Sequence, residues 1–105
     1  MAAGIAFASG ASASTAGSGY ITNIATNSSG AVSFQHSGGR SARPGCHTQA
    51  ANVWLFNANS AQGQAKLSIL LTAYALHKPI IIYGTGACGE WGDSESVDVM
   101  FVIDQ

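Results

Sequence analysis

Two cysteines, Cys46 and Cys88, are the only thiols in the chain, and each sits in a glycine-marked turn, Pro44-Gly45-Cys46 and Gly86-Ala87-Cys88-Gly89. That placement reads as one disulfide. It closes a loop of about 40 residues and removes roughly 4 kcal/mol of unfolded-state freedom on the chain-entropy account. In a domain this small such a term rivals the whole net stability. Any fold of this chain must therefore bring the two turns side by side, in a compartment that keeps thiols oxidised.

The N-terminus points to the same compartment. Met1 to Ala13 (MAAGIAFASGASA) is Ala, Gly and Ser around Ile5 and Phe7, and it ends in Ala11-Ser12-Ala13, the small-x-small pattern that signal peptidase accepts. Residues 1–13 read as a signal-peptide remnant, although no Lys or Arg precedes Arg40, and residues 14–105 read as a single domain. The expected location is secreted or periplasmic. Membrane insertion is not expected, because no run approaches the roughly 20 apolar residues that span a bilayer.

Charge narrows the class of partner. Charged residues make up 9% of the chain, against about a quarter in ordinary globular proteins. Its surface must then be largely Ser, Thr, Asn, Gln and Gly, which bond hydroxyls and other polypeptides without heavy desolvation of ions, so self-association is plausible. The net charge of −1 gives no footprint for nucleic acid or anionic lipid. Arg40, Arg43, Lys66 and Lys78 all precede Glu90, Asp93, Glu95, Asp98 and Asp104. This segregation is either chance in a small sample or a sign of complementary surfaces on neighbouring subunits.

The strands follow from pattern. Gly19 to Ala25 and Ala31 to His36 flank Asn27-Ser28-Ser29-Gly30, a hairpin signature. Val32 and Phe34 share one face of the second run, with Ser33 and Gln35 on the other. Asn52 to Phe56 is a third strand, apolar on both faces and so covered on both. Ser60 is a good N-cap for the one helix, and His77-Lys78 before Pro79 ends it. At 100° per residue, Leu67, Leu70, Leu71 and Tyr74 fall on one side, worth about 6 to 12 kcal/mol of gross burial. Ala65, Ile69, Ala73 and Leu76 form a second apolar stripe opposite, for which another chain is the expected cover. Ile80 to Tyr83 is a short buried strand. In the last strand, from Ser96 to Asp104, Val97, Val99, Phe101 and Ile103 face one way and Asp98, Met100, Val102 and Asp104 the other. A mainly β chain of five strands with one helix between strands 3 and 4 has the order of an OB-fold, a five-stranded Greek-key barrel.

One set of residues carries a family likeness: Cys46, Val53-Trp54-Leu55-Phe56, Gly63-Gln64-Ala65-Lys66 leading into Leu70-Leu71-Thr72-Ala73-Tyr74, the turn and strand from Lys78 to Ile82, Gly84-Thr85-Gly86-Ala87-Cys88 with Trp91, and Asp93-Ser94-Glu95-Ser96-Val97. In these the stretch from Cys46 to Ile103 resembles the B subunits of subtilase-type AB5 toxins and the small secreted bacterial proteins similar to them. The resemblance implies a secreted OB-fold with one intramolecular disulfide, commonly a homopentamer whose helices line the centre of a ring. It further implies glycan binding on cell surfaces and admits an enzymatic A subunit as partner. No glycan-binding residue of the toxin transfers, because the N-terminal half offers no match.

Site residues are therefore expected on physical grounds alone. Tyr20, Gln35, His36 and Trp91 are the candidate ligand contacts, combining aromatic stacking with polar strand faces. Residues such as Tyr20 and Trp91 are more often half-buried packing, and Gln35 and His36 also read as the solvated end of a strand. Cys46-His47 carries no nucleophile if Cys46 is oxidised. The cysteine and histidine spacing matches no zinc site, and Glu90, Asp93, Glu95 and Asp98 read as a solvated loop rather than a calcium loop. No metal, cofactor or catalytic residue is expected. The sequence thus reads as a binding protein of glycans, self-associated into a ring, and the alternative is a free-standing periplasmic or cell-surface adaptor that binds another protein.

Overall fold

A computed structural model describes residues 13–104, so the expected signal remnant lies outside the described residues except for Ala13. Six strands and a helix follow in the order β1 Thr15–Gly19, β2 Ile21–Thr26, β3 Ala31–His36, β4 Val53–Asn57, α1 Ala61–Leu76, β5 Ile80–Gly84 and β6 Val97–Val102. The protein is mainly β with one helix. The strands form two antiparallel three-stranded sheets, ordered β1-β5-β6 and β2-β3-β4, in place of the expected single five-stranded barrel. The strand without a sequence signal is β1. Its residues, Thr-Ala-Gly-Ser-Gly, are small, and it is ordered by pairing with β5, Thr15 opposite Tyr83 and Ala16 opposite Ile82.

Only Tyr20 separates β1 from β2, so one continuous stretch serves both sheets. The sheets touch again where Leu55 of β4 makes a parallel bridge to Ser96, just before β6. Between them lies a core of Phe34, Trp54, Phe56, Leu70, Ile80 and Ile82, all nearly inaccessible, with Phe34 and Phe56 edge to face at 6.3 Å. The β2–β3 turn forms as its residues dictate. Asn27 Oδ1 accepts from the amides of Ser29 and Ala31, and Gly30 takes φ 86°, which suits a residue without Cβ.

The helix starts and stops where expected but is rotated relative to the wheel. Ser60 Oγ accepts from the Gly63 amide at 2.9 Å, and His77 closes the helix in the left-handed region with φ 53°. Gly63, Leu70 and Ala73 face the core, with Leu67 and Ile69 packed at its edges. The reason is Gly63, whose close approach to the Asn57 carbonyl leaves no room for a Cβ. Two expectations are corrected by this turn. Leu71 and Tyr74, assigned to the core, are about half exposed. Ala73 and Ile69, assigned to a neighbouring chain, pack within their own, leaving Ala65 and Leu76 of that stripe in solvent.

A bulge corrects the last strand. Gly84 pairs with Val97 but Tyr83 pairs with Val99, so Asp98 is an extra residue and the alternation changes phase across it. Val97 and Met100 both point inward, whereas Val99 and Phe101 lie on the outer face. There they stand opposite Tyr83 and Ile81 of β5.

Candidate functional site

On the outer face of β2-β3-β4 lies an open cleft of about 390 Å³. Its floor follows from the period of two along β3. Val32, Phe34 and His36 turn into the core and Ser33 and Gln35 turn out, where they pair with Leu55 and Val53 of β4. One wall is a bulge in β2. The register slips between Thr22 and Ala25, and Asn23 takes φ 54°, a conformation that asparagine tolerates better than other residues with a Cβ. Its amide then donates to Gln35 Oε1 at 2.5 Å.

The opposite wall is built from two loops held together. Cys46 and Cys88 are joined across 42 residues, tying the loop before β4 to the loop after β5. The Thr48 and Gln49 amides donate to the Asp93 carbonyl at 3.0 and 3.3 Å, and Gln49 Nε2 donates to Asp93 Oδ2 at 2.7 Å. A tight turn from Trp91 to Ser94 leaves the indole 45% exposed at the rim. The cleft thus offers an aromatic surface beside the amides of Asn23, Gln35 and Gln49 and the carboxylate of Asp93. Each of these polar groups presents a planar pair of heteroatoms.

Beneath this wall is a buried polar cluster. Arg40 and Glu95 form an ion pair at 2.7 Å with side chains 4% and 0% exposed. Arg40 also donates to the carbonyls of Ala42, Ala51 and Val53 and lies 3.8 Å above the Trp54 ring, a cation–π contact. Glu95 accepts from Ser14 Oγ, the Ser14 amide and the Gly86 amide, so all its acceptor positions are used. Burial pushes its carboxyl up, but the Ser14, Arg40 and backbone hydrogen bonds outweigh that and hold it below the ordinary value. The Glu95 amide in turn donates to His47 Nδ1 at 2.9 Å, while His47 Nε2 donates to the Ala50 carbonyl. Gly84 lies so close to the Glu95 carboxylate and Trp54 that a Cβ there would collide with both.

Of the four candidate ligand contacts, Gln35 and Trp91 line the cleft. The other two are placed elsewhere. His36 is buried, its Nε2 donating to the Ile80 carbonyl at 2.9 Å and its Nδ1 accepting from the Gly38 amide. Burial lowers its pKa, only partly opposed by the carbonyls beside the ring. Tyr20 stacks on His77 with ring centres 4.4 Å apart, pinning the β1–β2 corner to the end of the helix. The reading of the 90–98 carboxylates as a solvated loop is corrected for Glu95, which is wholly buried. Among the described residues no three His, Cys, Asp or Glu side chains converge as a metal site requires. Cys46 and Cys88, the only cysteines of the chain, are both consumed in the disulfide. Sequence reasoning missed Asn23, Gln49 and Asp93. The signal for Asn23 was legible, since asparagine is depleted within strands and enriched in left-handed conformations.

A second concavity of about 360 Å³ near the helix N-terminus has Lys66, Glu90 and Asp98 on its walls, and such mixed charge selects no one class of ligand. No helix among the described residues is long and apolar enough to cross a membrane. Set against protein families, curated proteins and solved structures, the chain matches none.

Proposed function

We propose that this chain is an exported glycan-binding protein of the AB5 B-subunit type, acting as a self-associated ring. The observation that carries the reading is the cleft between Trp91 and the Asn23–Gln35 pair. A pyranose has an apolar C–H face and a rim of vicinal hydroxyls. A half-exposed indole covers the first without burying charge, and planar amides and a carboxylate match the second with paired donors and acceptors. Weak single sites of this kind gain strength when a ring repeats them.

The order of the elements supports an OB-type topology. Counting β1 and β2 as halves of one bent strand leaves five, with the helix between the third and fourth. On that count the isolated Leu55–Ser96 bridge is a parallel contact between the third and fifth strands, which supports a Greek-key reading. Ring formation needs two different patches, because head-to-tail contacts join unlike surfaces. Two are exposed: Leu71, Tyr74 and Leu76 on the helix, and Tyr83, Val99 and Phe101 on the outer sheet face. These patches stand in for the helix stripe that the sequence suggested, and an enzymatic A subunit would dock on the assembled ring.

Glycan-array binding by the intact protein tests the reading. Trp91→Ala should weaken binding by about 30-fold or more, the scale of losing one hot-spot side chain, while stability changes by less than about 0.5 kcal/mol. An array without signal, or binding indifferent to Trp91, defeats it. The exposed Tyr83, Val99 and Phe101 face favours a second reading, an adaptor that binds another protein through that sheet. A flat array together with a protein partner lost on Phe101→Ser would select it. Light scattering that finds a monomer at micromolar concentration rejects the ring in either case.

A further inference from the structure

The buried cluster meets the start of the domain at one bond. Ser14 is fully buried, and its backbone nitrogen donates to Glu95 Oε2 at 3.2 Å, whereas Ala13 is exposed. The chain therefore crosses from solvent into the protein between these two residues. The small-x-small motif Ala11-Ser12-Ala13 ends at the same bond. A feature of the sequence and a feature of the packing, independent of each other, mark one position.

We propose that the Ala13–Ser14 peptide bond is a maturation site and that the α-ammonium released on Ser14 becomes a member of the Arg40–Glu95 cluster. The proposal rests on the export half of the reading above. The step is a hydrolysis by a peptidase of the export machinery. Water adds its oxygen to the Ala13 carbonyl carbon, the C–N bond breaks, and both protons of that water end on the Ser14 nitrogen, leaving Ala13 as a carboxylate and Ser14 as an ammonium at neutral pH. It happens on the translocating chain, before Ser14 is buried.

The fold is already shaped for the product. Glu95 Oε1 is held by Arg40 and the Ser14 hydroxyl, and Oε2 by the Ser14 nitrogen and the Gly86 amide. Cleavage leaves that count unchanged and turns a bond charged on one side into one charged on both, adding the attraction of opposite charges to a hydrogen bond already made. Loss of exposed Ala13 opens a path for water to the remaining two N–H groups, so the ammonium is not stranded. Arg40 acts on the opposite oxygen of the same carboxylate, which separates the two cations. Maturation would then tighten the segment that feeds β1 and the underside of the cleft wall together.

The whole chain, led into the periplasm of a bacterium by a basic n-region placed before Met1, gives the first measurement. Its intact mass should begin at Ser14. A product exported but cut elsewhere, or left uncut, overturns the maturation site while export stands. Retention in the cytoplasm overturns export and the site with it. The second measurement compares the processed protein with the uncut chain, purified and oxidised to the same disulfide. The processed form should melt about 4–8 °C higher, the scale of roughly 1 kcal/mol of added ion-pair attraction in a domain of this size, and the gap should close in Glu95→Gln. Should that variant not fold, selective acylation of the Ser14 α-amine in the processed protein should erase the gain. Equal melting of cut and uncut chains, or a gain untouched by acylation, overturns the role of the ammonium.

Discussion

The two sides of the Cys46–Cys88 wall are built from the same loops and follow opposite rules. Underneath, Arg40, Glu95, Ser14 and His47 use their donors and acceptors on one another or on fixed carbonyls, and Glu95 has no exposed surface. Above, Asn23, Gln35, Gln49, Asp93 and Trp91 line an open cleft with polar groups in reach of water. The underside is saturated and therefore rigid, since each buried group would be left unpaired by a displacement. The upper side keeps donors and acceptors open beyond the Asn23–Gln35 and Gln49–Asp93 bonds, as the proposed binding requires. One stretch supplies both, because Asp93 and Glu95 are two residues apart and face opposite ways.

Breaking the underside should cost most. Arg40→Ala strands the Glu95 carboxylate in the interior and removes the cation above Trp54. A loss of about 4–5 kcal/mol is expected in urea unfolding, the upper part of the range for a broken buried pair. Removing both charges with Arg40→Met and Glu95→Gln should cost less than Arg40→Ala alone, because no unpaired charge remains. If the double variant is the worse of the two, the cluster is held by its hydrogen bonds to Ser14, Gly86 and the carbonyls rather than by its charge.

The disulfide comes next and acts on a different state. Cys46→Ser with Cys88→Ser should lose about 4 kcal/mol, chiefly by freeing the unfolded chain across 42 residues. The native wall would still be held from below by the Glu95 amide on His47. Glycan affinity of the folded variant measures how much of the wall that network can position by itself. Retained affinity would mean that the buried cluster alone sets the site.

Acid should undo the interior in two stages. His36 has a lowered folded-state pKa, so its contribution is complete above its unfolded value of about 6.5 and is lost as pH falls through the lower folded value. Glu95 is also lowered, so its contribution is complete above about 4.3 and is lost as pH falls further. In the uncut chain, where Ser14 carries no free amine, stability should therefore be level from pH 8 to 7 and decline below. The urea midpoint as a function of pH measures this, and His36→Gln should flatten the upper stage only. A midpoint that rises on acidification would contradict both assignments.

Much of the frame was legible in the sequence, and what was not has common causes. The runs that became β2 to β6 are rich in Val, Ile, Phe and Trp between turn residues, and Ser60 and His77 mark the helix ends, so local chemistry sufficed. His36 follows Val32 and Phe34 at the period of a strand, yet it reads as a ligand contact or a solvated strand end, and the structure buries it. Strand β1 has no large side chain and exists only through pairing with β5, some 65 residues away. The helix is apolar around most of its circumference, so a wheel could not say which side faces in. That was settled by the approach of Gly63 to Asn57. Glu95 reads as solvated because its partners, Ser14, Arg40 and Gly86, are scattered along the chain. The cleft was half legible for the same reason, since Gln35 and Trp91 could be nominated singly but their juxtaposition with Asn23 and Asp93 is a product of the fold.

The smallest expected effect isolates the upper side from the lower. At φ 54° Asn23 has a backbone that glycine adopts freely and alanine does not. Asn23→Ala should lose about 1 kcal/mol by strain and also lose the amide that orders Gln35. Asn23→Gly removes the same amide without the strain, so its stability should stay within about 0.5 kcal/mol of the parent. Both variants should bind glycan more weakly, and to the same degree, if the amide is what the ligand meets. Weakening by alanine alone would assign the role of this position to the bend in β2 and leave Gln35 and Trp91 as the recognising pair. Since the side-chain hydrogen bond of Asn23 goes to Gln35 and those of the Arg40–Glu95 cluster go elsewhere, either result should leave the underside unchanged, and the two halves of the wall can be altered one at a time.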